Sequence, residues 1–250
     1  MNIGDDIVFK IRKDEGVYDI HPRLEGLHLP SGKIIGFELL SNITFEDHKK
    51  FINPRHFFLN IDFITLEYVI SKQLDLAIEL FSFADPNIFI SLNLDARGLY
   101  IVNTNPHILS AMKYLKNKIR VEIDEDCDLN LNYDLLKKTS TLCPLWLDDF
   151  GKGQFSSQIT YKNLFSGIKI DKNLLSSIIH LPNGSNLFND IIKSLKTMYA
   201  LVIVEGVENE TLANQLVSSE VDILQGWHWK SQNLNSQQIF EAIHSRHIKL

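Results

Sequence analysis

Short β-branched runs alternate with helix-like stretches, the strand count reaches eight, and no linker interrupts the 250 residues. These three observations predict an α/β fold: a closed (β/α)8 barrel of the TIM type. Two small domains would also fit the length. The absence of a Gly/Ser/Pro-rich or low-complexity tract favours one domain over 1–250, with a core of about 15–246 and no separate sensory domain.

The elements follow in order. A first strand is expected near Val17–Ile20 and a second over Ile34–Leu40, followed by a long amphipathic helical region from Pro54 to Phe83. Ile88–Leu94 is strand-like and His107–Leu115 helix-like. Ile119–Ile123 and then Tyr133–Lys138 continue the alternation. Leu145–Asp148, Gly167–Ile170, Leu201–Val204 and Val221–Leu224 are short apolar runs. Helical patterns at Leu187–Met198, Glu210–Ser218 and Ser236–His244 separate or follow the later ones.

Composition excludes several classes. Apolar residues make up 44% of the chain, enough for a sizeable core. A net charge of -6 without a basic stretch argues against a nucleic-acid polymer as partner. Cys127 and Cys143 have no metal-ligand or redox spacing. The start of the chain does not resemble a secretion signal, and no apolar run approaches the roughly 18 residues of a membrane span. A cytoplasmic protein without membrane association is expected.

Several apolar strands end in the same kind of group. Glu38 closes GKIIGFE, Asn93 closes IFISLN, and Glu122 sits inside RVEID. Asp148 and Asp149 follow LWL, Glu205 follows LVIV, Lys169 lies within GIKID, and Gln225 closes DILQ. Carboxyl strand ends form the active-site face of such a barrel. Five carboxylates converging there would repel one another and take up protons unless cations neutralise them. One lysine cannot do this, whereas two divalent ions can, and oxygen donors suit Mg²⁺ or Mn²⁺. A single Asp after a strand is usually a helix cap or turn residue, and a lysine can be merely a buried structural cation. The recurrence across strands carries the metal-site reading.

The segments GFELL, SLNLD, VEIDED, LWLDDFGKGQFSS, GIKIDKNLL, VIVEGVENE and DILQGW occur in order over nearly the whole chain. Together they resemble the EAL-domain family of bacterial cyclic-di-GMP phosphodiesterases, and in particular its stand-alone enteric members with an ELL form of the motif. The resemblance implies a barrel with an antiparallel first strand and a reaction that opens cyclic-di-GMP to linear pGpG. Lowering that second messenger would favour motility over biofilm. Two Mg²⁺ or Mn²⁺ ions are implied as cofactors, Ca²⁺ as an inhibitor, and a homodimer as the assembly. By position, Glu38, Asn93, Glu122 and Asp148 would surround one ion, and Asp148, Asp149 and Glu205 the other. Glu38, Lys169 and Gln225 match catalytic positions, and Leu40, Asn42 and Gln225 substrate-binding ones. Glu208 matches the glutamate that steadies the loop following Asp148-Asp149; that loop, which carries Gly151 and Gly153, is linked to dimerisation in the family.

The chain departs from the family at four places. Leu39 replaces the motif's central alanine, and Asn42 stands where an arginine contacts ligand phosphate. Lys152 takes a threonine position, and His21-Pro22 replaces Gln-Pro. Asn42 lacks both the charge and the planar fork of arginine, so Lys152 or Arg23 is a candidate substitute. The alternative function is a catalytically impaired module that senses cyclic-di-GMP or binds a protein partner.

Overall fold

The computed structural model describes residues 7–45, 50–82, 87–124, 127–152, 163–229 and 232–233. The chain begins with β1 (Phe9–Lys13), β2 (Gly16–His28), β3 (Ile34–Phe45) and β4 (Lys50–Ile52), then α1 (Pro54–Asn60) and α2 (Phe63–Phe81). Next come β5 (Phe89–Asn93), α3 (Ala96–Thr104), α4 (Pro106–Tyr114), β6 (Ile119–Asp124), α5 (Tyr133–Leu142) and β7 (Leu145–Phe150). The described elements end with β8 (Phe165–Ile170), α6 (Lys172–Ile179), α7 (Gly184–Lys196), β9 (Leu201–Val204), α8 (Glu210–Val217), β10 (Ile223–Leu224) and β11 (Gln232–Asn233).

Eight strands close the barrel in the circuit β2-β3-β5-β6-β7-β8-β9-β10 and back to β2. The six pairings from β3 round to β10 are parallel, whereas β2 is antiparallel to both its neighbours. The expected barrel and its antiparallel first strand are therefore both present. β2 is much longer than the four-residue run suggested, because its hairpin with β3 extends from Tyr18↔Phe45 to His28↔Ile34.

Local chemistry explains where the helices break. The single helical region expected over Pro54–Phe83 is two helices. Asn53 caps α1, with Pro54 in its first turn, and the Asp62 carboxylate then accepts from Thr65 N to start α2. Two helices were not anticipated. α3 starts at Asp95, which accepts from Gly98 N, and α6 starts at Asp171, which accepts from Asn173 N. Phe83 and Ser236–His244 lie outside the described residues.

Two apolar layers form the interior. The larger lies between strands and helices and includes Leu39, Ile43, Val121, Leu147, Ile168 and Val202. The smaller fills the lumen with Leu27, Phe89, Trp146, Ile203 and Ile223. Strand alternation places the next lumenal position two residues further along. Trp146 is thus followed by Asp148, Ile203 by Glu205 and Ile223 by Gln225, so an acidic and amide layer sits on an apolar plug.

Candidate metal centre

The lumenal faces are in register. Glu38 pairs with Ser91, Asn93 with Glu122, Glu122 with Trp146, Asp124 with Asp148, and Lys169 with Ile203. Paired residues project to the same side, so side chains distant in sequence meet on the axis. Glu38, Glu122, Lys169 and Gln225 are all buried.

Lys169 is at the centre of the cluster. Its Nζ donates to Glu122 Oε2 at 2.7 Å and to Glu38 Oε2 at 3.2 Å. It also lies 2.7 Å from Glu205 Oε1 and 3.3 Å from Asp148 Oδ1. The Glu38 carboxylate additionally accepts from Asn93 Nδ2 and Gln225 Nε2, each at 2.6 Å. One ammonium thus faces four carboxylates.

The electrostatics are correspondingly uneven. Burial raises the Glu205 carboxyl to about 8 and that of Asp148 to about 6, against the opposing pull of Lys169. Burial, reinforced by Glu38, also lifts Glu122 well above the carboxylate range. Glu38 is held low: burial opposes its charge, but the Lys169 charge and the amide donors outweigh burial. Burial disfavours the Lys169 charge too, yet Asp148, Glu122, Glu205 and Glu38 together keep it firmly protonated.

A β-bulge positions the paired aspartates. Between β7 and β8 the register advances from Leu147↔Ile168 to Phe150↔Ile170, which leaves three steps on β7 against two on β8. Asp149 takes the extra position with φ 59°, a left-handed conformation that aspartate tolerates better than most residues. Consecutive strand residues would otherwise point to opposite faces. Here carboxylate oxygens of Asp148, Asp149 and Glu205 all lie within 4.8 Å of one another. Gly151 follows at φ 98°, where an added Cβ would collide with the Leu174 side chain.

These donors suit a hard divalent cation. Glu122 Oε1 and Gln225 Oε1 are buried acceptors without a hydrogen-bond partner, and Asp148 Oδ1 has only its 3.3 Å ion pair with Lys169. An unpaired buried acceptor costs about 1–3 kcal/mol, and a cation among them would remove that penalty.

A cavity of about 320 Å³ opens over the cluster, and Leu40, Asp149, Glu205, Glu208 and Gln225 contribute to its lining. Asn42 shares the Glu38 side of β3 but is not among the described residues lining the cavity. Exposed Glu208 stands at its rim. Gly153, in the loop that Glu208 was expected to steady, lies outside the described residues. A second hollow of about 430 Å³, at the opposite strand ends, has no acidic residue among its described lining.

One site residue was missed. Glu25 pairs directly with Glu38 across β2 and β3, lines the cavity, and lies 3.5 Å from Arg23. Burial first and Glu38 second raise its carboxyl above the usual range. The available signal was Glu25 in the hairpin partner of GFE, at a spacing that faces the same side.

A family model described as EAL domain matches residues 11–232. The chain is 28% identical over 204 residues to the cyclic di-GMP phosphodiesterase PdeH of Escherichia coli K12, covering 78% of this chain and 77% of that one. The solved EAL-like domain protein YdiV superposes with a TM-score of 0.78 at 20% identity, covering 89% of this chain and 96% of YdiV. The phosphodiesterase PaMucR, solved as its c-di-GMP complex, gives a TM-score of 0.72 at 21% identity, with 88% and 94% covered. Both structural likenesses bear on the fold.

Proposed function

Since this chain belongs to the EAL domain family, we propose that it hydrolyses cyclic-di-GMP to linear pGpG, using two Mg²⁺ or Mn²⁺ ions. The observation that carries this reading is the convergence of Glu38, Asn93, Glu122, Asp148, Asp149 and Glu205 beneath one cavity, with buried acceptors left unpaired. Its likeness to PdeH over most of both chains supports the substrate.

Bound there, two divalent ions would lower the pKa of a water molecule and offset charge growing on the phosphoryl oxygens. The protein's own contribution is positional and electrostatic. Glu38 and Glu122 hold the Lys169 ammonium, which remains charged and is a donor for orienting water or a phosphoryl oxygen. Gln225 and Asn93 fix both oxygens of Glu38, so that carboxylate cannot rotate away from the cavity floor. The surrounding strands supply a rigid frame, and the apolar plug excludes water from below. Acting on a second messenger, the protein would work in the cytoplasm, favour motility over biofilm, and function as a homodimer.

The test is purified protein with cyclic-di-GMP and either metal, followed by chromatography for pGpG. Glu38→Ala should abolish turnover. No product from folded wild-type protein at any metal concentration would sink the reading. A second reading, a cyclic-di-GMP receptor or protein-interaction module, draws on Asn42 and on Lys169, a cation that already occupies the centre of the acidic cluster. Nucleotide binding without turnover, indifferent to Glu38→Ala, would favour it.

A further inference from the structure

Two cations already stand on Asp149. Its Oδ2 lies 2.5 Å from Lys152 Nζ and 3.6 Å from Arg55 Nη1. The other arm of Arg55 reaches Asp124 Oδ2 on β6 at 3.2 Å, so this guanidinium has an anchor independent of Asp149. Lys152 lies on the turn after Gly151 and lines the cavity. A divalent ion held by Asp149 would lie close to this ammonium and repel it. The side chain of Lys152 is 39% exposed and free to swing aside, whereas that of Lys169 is 1% exposed and locked among four carboxylates.

Where it would go is constrained by charge. Glu25, Glu38, Asp149, Asp171, Glu205 and Glu208 line the cavity, and Lys152 and Lys172 are the basic residues among its described lining. A phosphodiester entering this acidic cavity carries negative charge, and beyond the ions beneath it a cation at the rim would strengthen its binding. Asn42 supplies none.

We propose that Lys152 acts twice: it neutralises Asp149 in the metal-free protein, and, displaced by the incoming ion, it becomes a phosphate contact for the dinucleotide. The second half rests on the phosphodiesterase reading, and the first does not. Lysine suits this exchange because its flexible stem carries a compact charge, whereas Arg55 remains tied to Asp124.

The experiment compares wild type, Lys152→Gln and Lys152→Arg. Calorimetric titration of metal-free protein with Mn²⁺, without nucleotide, should show Lys152→Gln binding roughly three- to fivefold more tightly, and Lys152→Arg close to wild type. At saturating Mn²⁺, the KM for cyclic-di-GMP should rise about tenfold in Lys152→Gln, with kcat little changed, and Lys152→Arg should restore most of the loss. Unchanged or weaker Mn²⁺ binding by Lys152→Gln overturns the displacement. An unchanged KM overturns the phosphate contact. If wild type binds Mn²⁺ but neither hydrolyses nor binds cyclic-di-GMP, the phosphodiesterase reading and the phosphate contact fall together. The Mn²⁺ comparison then still decides the displacement.

Discussion

At the residue scale, the site sets one lysine against a surplus of carboxylates. Folding brings Glu205 into a place where burial favours its neutral form, at about 8 against an ordinary 4.5. The folded state therefore binds a proton that the unfolded chain has released. Stability from this group is complete below the ordinary value and is lost as pH rises through about 8. Burial lowers His28 to about 4. Its contribution has the opposite sign: it is complete above the ordinary histidine value of 6.5 and constant at higher pH. The metal-free melting temperature should accordingly fall between about pH 7 and about pH 9, and Glu205→Gln should flatten that slope. Saturating Mn²⁺ should reverse it, because metal binding requires the deprotonated ligand. Thermal melts at several pH values, with and without Mn²⁺, check all three outcomes.

At the scale of the element, the bulge of β7 does what a regular strand cannot. It turns consecutive aspartates to the same side, and the left-handed turn at Gly151 then brings Lys152 back over them. Gly151→Ala adds a Cβ where φ is 98° and Leu174 already fills the space. We expect a cost of about 1–3 kcal/mol in urea unfolding, together with weaker Mn²⁺ binding as Asp149 shifts. Mn²⁺ affinity unchanged beside a full stability loss would show that the turn supports the fold alone. LWLDD also shows a limit of pattern reading. Strand periodicity alone would have separated Asp148 from Asp149; that both serve one ion is what the family resemblance implies.

At the scale of the whole molecule, the apolar plug under the acidic layer sets the depth of the site. Trp146 is fully buried between Phe89 and the glycine at 167. Trp146→Ala should cost about 3–5 kcal/mol and loosen the register that holds Glu122 and Asp148, measured as lower melting temperature and weaker Mn²⁺ binding. An intact Mn²⁺ affinity after that loss would separate the plug from the site above it. Most of the barrel was legible because apolar parallel strands ending in Asp, Glu, Asn or Gln repeat a pattern. Glu25 was not legible by that rule. β2 runs antiparallel, so the residue facing the site sits within the strand and not at its carboxyl end. α3 and α6 were missed because each begins at an aspartate directly after a strand-end motif, without a spacer to announce a helix.

The antiparallel seam also dictates when the site can exist during synthesis. β2 and β3 are neighbours in sequence and can pair once residue 45 has emerged from the ribosome. The other edge of β2 waits for Leu224 to reach His28, and Glu38 waits for the amide of Gln225, 187 residues later. Such distant contacts close slowly and late. The nascent chain therefore carries its carboxylates on an open, unfinished sheet until nearly all of the barrel has been translated. A ribosome-stalled chain ending before residue 223 should retain the β2–β3 hairpin yet fail to bind Mn²⁺ at the site's full affinity.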